Sequence, residues 1–157
     1  MIAVGQRMPA WVDAGFDAFA KRMPREAQLS LVEIKAEPRG EAGQRGPRNI
    51  ERLAAAEAGR ILDAIPKGAL KIVLDERGQL CTTAELARRF TGWQMEGRHV
   101  AFIIGGPDGL SETIKRDADF LWSLTPLTLP HALVRVVLAE QLYRAHSILK
   151  HHPYHRD

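Results

Sequence analysis

The 157 residues contain a single cysteine, Cys81. One cysteine cannot build an internal disulfide framework, so the chain is expected in a reducing cytoplasm. No apolar run approaches the ~18 residues of a membrane span. The opening Met1-Ile2-Ala3-Val4-Gly5 lacks the layout of a signal peptide. Short catalytic signatures are missing as well. No Gly-Lys-Ser/Thr follows the glycines at 105–109, which excludes a phosphate-binding P-loop, and their spacing is wrong for a dinucleotide fingerprint. No Gly-x-Ser-x-Gly and no Cys/His arrangement argues for a covalent nucleophile. His146, His151 and His155 do not stand at a spacing that metal geometry rewards, so no metal is expected. Repeats, low-complexity tracts and linkers are absent too, which predicts one domain over residues 1–157.

What is present is ordinary for a globular protein: 45% hydrophobic and 26% charged residues. The net charge of +3 permits an RNA partner without demanding one. His131, His146, His151, His152 and His155 crowd the last part of the chain, which can gain positive charge near a phosphate.

Strand and helix patterns alternate. Ile2-Ala3-Val4 reads as a strand, and starting one so early suggests a start a few residues late. Helical spacing of Val12, Phe16, Phe19, Ala20 and Met23 predicts a helix over 11–23, then a strand over 29–37. A glycine-rich polar loop follows over 38–46, with Pro47 in a first helical turn. The next helix carries Ile50, Leu53, Ala54, Ala58, Ile61 and Leu62. A strand over 70–75 ends in a turn at Glu76-Arg77-Gly78. Thr82-Thr83-Ala84-Glu85 matches a capping box for a helix facing inward with Leu86, Phe90 and Trp93. A second buried strand over 99–104, a short helix from Ser111 to about 118, a short strand over 120–122 and a helix over 132–150 complete the chain. The alternation predicts an α/β fold, a parallel-rich sheet with helices on both faces.

In such sheets ligands bind beyond the carboxyl ends of the strands. Three segments qualify: Leu74-Asp75, Gly105-Gly106-Pro107 and the apolar loop Leu124-Thr125-Pro126-Leu127-Thr128-Leu129. Burying a leucine contributes about 1.5–3 kcal/mol, so this loop is either core or the lining of a pocket for a flat apolar group. The helix after it is apolar on more than one side, through Leu133, Val134, Val136, Val137 and Leu138. One side suits the sheet. The other suits either a helix of the same chain or a second copy in a two-fold dimer. The chain closes on Lys150-His151-His152-Pro153-Tyr154-His155-Arg156-Asp157. Such residues stack on bases, pair with phosphates and move protons, although a frayed basic tail is the plain alternative.

Several stretches together resemble one family. They are residues 104–110 (Ile-Gly-Gly-Pro-Asp-Gly-Leu), Trp122-Ser123-Leu124 through Thr128-Leu129-Pro130-His131, and Arg135-Val136 with Glu140 and Tyr143-Arg144-Ala145. The last is His152-Pro153-Tyr154-His155-Arg156, and Ala3-Val4-Gly5 with Met8-Pro9-Ala10-Trp11 fits the family's start. The family is ribosomal large subunit methyltransferase H, of the SPOUT superfamily of RNA methyltransferases, and the resemblance spans essentially the whole chain. It implies a deep trefoil knot in the C-terminal part, which pattern reading does not predict. It implies a homodimer and S-adenosylmethionine as methyl donor, with no metal and no DNA or membrane partner. The implied substrate is 23S rRNA in the 70S ribosome, a pseudouridine methylated at N3. Carried over by motif, the donor would meet Leu74, Gly105, Leu124, Thr125, Pro126, Leu127, Thr128 and Leu129. The substrate's proton would go to His155, or to Tyr154 if Arg144 or Arg156 depressed its hydroxyl. Arg144 and Arg156 could instead stabilise negative charge on the base. Two other readings compete: a non-catalytic ribosome-binding or assembly factor on the same scaffold, and a small-molecule hydrolase, which the lack of a nucleophile–His pair disfavours.

Overall fold

The computed structural model describes residues 1–38 and 47–154. Five strands, β1 (Ile2–Val4), β2 (Val32–Ile34), β3 (Leu70–Leu80), β4 (Val100–Ile104) and β5 (Phe120–Ser123), form one sheet in the order β2-β1-β4-β3-β5. Every pairing is parallel. The helices are α1 (Ala10–Ala20), α2 (Pro47–Ala64), α3 (Thr83–Glu96), α4 (Glu112–Arg116) and α5 (His131–Leu149).

Alternation along the strands divides the core into two layers. Ile72 and Leu74 of β3 join Phe102 and Ile104 of β4 against Phe16, Leu86, Phe90, Leu138 and Leu142, so α1, α3 and α5 cover that face. Val73, Ala101 and Ile103 meet Ala58, Ile61 and Ile114 on the other, under α2 and α4. Helices therefore flank both faces, as the pattern requires. The predicted capping box is present: Glu85 N–H donates to Thr82 Oγ1 at 3.2 Å, and Thr82 N–H to Glu85 Oε2 at 2.7 Å.

Connections out of the two central strands diverge. After β3 the chain crosses through α3 to β4; after β4 it returns through α4, on the opposite face, to β5 at the edge. Such a reversal leaves a crevice beyond the carboxyl ends of β3 and β4.

Three expectations shift. The predicted strand over 29–37 pairs only over Val32–Ile34. The helix expected over 11–23 ends at Ala20. Most consequential, the turn at Glu76-Arg77-Gly78 does not end its strand: β3 continues to Leu80, and both Leu74 and Gln79 register on Trp122 of β5. The loop expected over 38–46 lies, from residue 39 on, outside the described residues.

Gly78 explains how the excursion fits. A Cβ there would sit 2.5 Å from the Trp122 carbonyl carbon and 2.7 Å from Ser123 N. Backbone cannot yield as a flexible side-chain tip can. Gly78→Ala is expected to cost about 1–3 kcal/mol, as overpacking does, which lowers the melting midpoint by roughly 2–12 °C. An unchanged midpoint by circular dichroism would contradict this packing.

Helix α5 resolves the question of its two apolar sides in part. Leu138, Ala139, Leu142 and Ala145 are buried in the core with α1 and α3. A Cβ on Gly15 would lie 3.0 Å from Val136 Cγ1, so α1 covers that flank closely. Leu133, Val134 and Val137 remain half-buried. Near its start, Arg135 is fully buried. Its Nη1 donates to Glu33 Oε1 at 2.7 Å, and its Nη2 to Gly5 O at 2.8 Å and Val4 O at 3.3 Å.

Candidate functional site

The crevice is a cavity of about 1100 Å³. Its walls come from the ends of β3, β4 and β5 and the segments that follow them. Leu74, Gly105, Leu124, Thr125, Leu127, Thr128 and Leu129 all line it, so seven of the eight residues expected to meet a methyl donor face one space. Pro126 is not among the lining residues.

Local chemistry shapes the apolar loop. Ser123 Oγ donates to Thr125 O at 2.9 Å, and Leu127 N–H donates to Thr125 Oγ1 at 3.2 Å. Thr128 Oγ1 donates to Glu76 Oε2 at 3.4 Å, linking the loop to the β3 excursion. Leucine 127 itself is 71% exposed at the cavity lip. An apolar side chain held there gains only when something covers it. On the facing wall, a Cβ on Gly105 would lie 2.8 Å from the Gly109 carbonyl carbon, so this close turn excludes any larger residue.

Sequence reasoning missed part of the wall. Ile50 and Ala54 of α2 reach the cavity, and no local signal announces a helix crossing from the other layer. Asp75, Glu76 and Lys115 also line it. Lys115 Nζ sits 2.9 Å from Asp75 Oδ2 and 3.1 Å from Glu112 Oε1. Burial alone would raise Asp75, but the hydrogen bonds from Lys115 and from the Arg77 N–H outweigh it and hold the carboxyl below its ordinary value. Among the described lining residues the carboxylates Glu51, Asp75, Glu76, Asp108 and Glu112 face the cations Arg77, Lys115 and Arg116, five against three. The wall is therefore net negative and suits a cationic ligand.

The tail residues form a second cluster. Arg144 Nε donates to Glu140 Oε1 at 2.8 Å, and the Tyr154 hydroxyl donates to the same oxygen at 3.0 Å. The rings of Tyr143 and Tyr154 meet edge-on, 4.9 Å apart. His155 and Arg156 lie outside the described residues. Tyr154 corrects an expectation. Burial and the Glu140 carboxylate raise its hydroxyl pKa; Arg144 and Arg22 oppose them and do not prevail. It is thus not a depressed phenol poised to take a proton. His146 is likewise held below its ordinary value by burial and by Lys150, so it does not add readily to a positive tail.

The two clusters are not together within one chain. Val134 lines the cavity, and Arg144 stands ten residues further along α5, about 15 Å at 1.5 Å per residue. Among the described residues no group of three His, Cys, Asp or Glu side chains could hold a metal ion. No helix among them is long and apolar enough to cross a membrane.

The cavity lies beyond the carboxyl edge of a parallel α/β sheet, where folds of this class place their ligands. Residues 1–155 match the family described as "Predicted SPOUT methyltransferase". The chain is 50% identical over 157 residues to the ribosomal RNA large subunit methyltransferase H of Thioalkalivibrio sulfidiphilus, covering 100% of this chain and 97% of that protein. It is 53% identical over 156 residues to the protein of that name from Burkholderia multivorans, covering 99% and 97%. Two solved structures share the fold. One is a probable methyltransferase from Bordetella pertussis, with a TM-score of 0.53, 21% identity and coverage of 92% and 93%. The other is a probable methylase family protein from Haemophilus influenzae, with a TM-score of 0.54, 12% identity and coverage of 99% and 69%. The chain belongs to the SPOUT methyltransferase family, and within it to the ribosomal RNA large subunit methyltransferase H proteins.

Proposed function

We propose that this protein is an S-adenosylmethionine-dependent methyltransferase of large-subunit rRNA, and that it methylates N3 of a pseudouridine in a 23S rRNA stem-loop at the subunit interface of the assembled 70S ribosome. It works in the cytoplasm as a homodimer. The observation that carries the reading is the convergence of Leu74, Gly105 and the 124–129 loop on one cavity. Leucines 124, 127 and 129 offer apolar surface to the faces of an adenine, and loop amides and carbonyls can read its edge. Gly105 leaves bare backbone for the ribose and methionine parts. The net negative wall suits a ligand whose sulfonium and ammonium outweigh its carboxylate. When bound, the donor supplies an electrophilic methyl group.

For N3 to accept that methyl group, its proton must leave to a base. Alignment and exclusion of water supply most of the rate. We assign the proton to His155, and the charge developing on the base's carbonyl oxygens to Arg144 and Arg156. Tyr154, with its raised pKa, positions rather than deprotonates. Because the Tyr154–Arg144 cluster stands well along α5 from its own cavity, the tail serves the cavity of the second copy. The face for that dimer is built from half-buried Leu133 and Val137 on α5, with Trp11, 54% exposed, on the adjoining α1. The C-terminal part is tied in a trefoil knot; stretching the unfolded chain by its ends would then give a contour shorter than ~3.4 Å per residue allows, and a full-length contour would refute it.

Titration calorimetry tests the donor assignment. One donor per chain is expected, with or without ribosomes. No heat in either case would favour the non-catalytic assembly factor. The pH dependence tests the base. The methylation rate should rise with pH as the base sheds its proton. Tyr154 carries a raised folded pKa, so its neutral form persists up to and beyond its ordinary ~10 and any contribution it makes is lost only above that. Tyr154→Phe should therefore leave the rising limb where it is, and His155→Asn should remove it. A limb that moves with Tyr154→Phe would overturn the assignment.

A further inference from the structure

The Glu140 carboxylate gathers more partners than any helix ion pair requires. Its Oε1 takes the Arg144 Nε at 2.8 Å, has Arg144 Nη2 at 2.6 Å, and accepts the Tyr154 hydroxyl at 3.0 Å. Its Oε2 accepts Gln141 Nε2 at 2.6 Å, and Gln141 in turn accepts the Thr83 hydroxyl at 3.2 Å. A surface i,i+4 pair with Arg144 alone contributes little, which is little reason to hold this carboxylate at 18% exposure. On its other side the Tyr154 ring is gripped by guanidinium groups: Arg144 lies 4.8 Å and Arg22 5.1 Å from its centroid, and Arg22 also lies 4.1 Å over Tyr143. Arg22 stands just beyond the end of α1, so a residue of α5 and one from the segment after α1 meet on one tail side chain.

We propose that Glu140 is a positioning residue for the methyl transfer, seating Tyr154 with help from Arg22 so that the tail starts from a fixed point. The proposal rests on the reading above, in which the tail serves the reaction. Charge-assisted contacts fix the direction of a side chain as well as its place, and a small misplacement of a reacting group can cost on the order of 100-fold in rate. Glu140 itself touches neither donor nor base; it acts through Tyr154 and through Arg144, whose guanidinium the same oxygen holds.

The test is single-turnover methylation of hypomethylated ribosomes by the full-length protein and five variants: Glu140→Ala, Glu140→Gln, Tyr154→Phe, the double Glu140→Ala/Tyr154→Phe, and a chain ending at Pro153. Glu140→Ala should lower the turnover rate by about 10- to 100-fold with donor affinity by calorimetry unchanged. Glu140→Gln keeps an acceptor for the hydroxyl and should recover most of the loss. Removing Glu140 from the Tyr154→Phe protein should cost far less than removing it from the native protein, because the hydroxyl it seats is already gone. Equal losses in both backgrounds, or native turnover in Glu140→Ala, would overturn the proposal while a dead Pro153-terminated chain left the tail reading intact. Native turnover in that shortened chain would sink both.

Discussion

Arg135→Ala should be the most damaging single change to the fold. The guanidinium is fully buried and ties the end of β1, through Gly5 O and Val4 O, to Glu33 on β2 and to α5. Removing it leaves two carbonyls without this donor in the space the side chain vacates. Breaking a buried pair costs about 3–5 kcal/mol. Glu33 is 34% exposed and recovers solvation once alone, so the lower end, about 3 kcal/mol, applies. At about 2–4 °C per kcal/mol for a domain of this size, the midpoint falls by roughly 6–12 °C. Two further variants separate the causes. Arg135→Met keeps most of the volume and should recover the packing part. Glu33→Gln should cost under about 1 kcal/mol, because that partner is half-solvated. If Glu33→Gln matched Arg135→Ala, the ion pair and not the carbonyl bonds would be holding the β1 end. Gly5 carries a φ of +111° and its Cβ position lies 3.4 Å from Arg135 Nη2, so the two residues have to be satisfied together.

The second large effect concerns which chain completes the site. A chain ending at Pro153 keeps its cavity and loses the tail beyond it. Gly105→Val keeps the tail and distorts the cavity wall, since even a Cβ would meet Gly109 backbone at 2.8 Å. Each protein alone should lose methylation by at least about 100-fold. If the tail works across the dimer, mixing and re-associating the two gives mixed dimers in which one site has both lesions and the other has neither. Activity then returns on mixing. Should the tail act within its own chain, every site keeps one lesion and mixing restores nothing. The ~15 Å of helix between Val134 and Arg144 is the reason to expect recovery.

Much of the fold is legible in the residues because strand periodicity survives burial. Val73 between Ile72 and Leu74, and Ile103 between Phe102 and Ile104, sort into two layers as a two-residue period demands. The capping box at Thr82 is legible for a similar reason, since its chemistry is contained in four residues. The β3 excursion is not. Glu76-Arg77-Gly78 has the composition of a turn and does bend, but only the tertiary contact of Gly78 with the β5 backbone shows that the strand resumes. Arg135 finds its partner 102 residues earlier, a distance no local pattern spans.

The apolar loop over 124–129 shows both sides of this. That its leucines needed cover follows from hydrophobicity alone. That Leu74 and Gly105 provide the facing walls follows from strand order, which places β3 beside β4. The contribution of α2 follows from neither. On α5 and in the tail after it, Arg144 and Tyr154 are legible as chemistry, but the sign of the Tyr154 shift is not. It depends on Glu140, fourteen residues away in sequence and 3.0 Å away in space.

The central claim, that this cavity delivers a methyl group to large-subunit rRNA, is most directly tested by incubating hypomethylated 70S ribosomes with the protein and labelled S-adenosylmethionine, then mapping the modified nucleotide. Label is expected at N3 of a single pseudouridine in 23S rRNA and is lost with Gly105→Val. Ribosomes that stay unlabelled, or label on any other nucleotide or on protein, would contradict it.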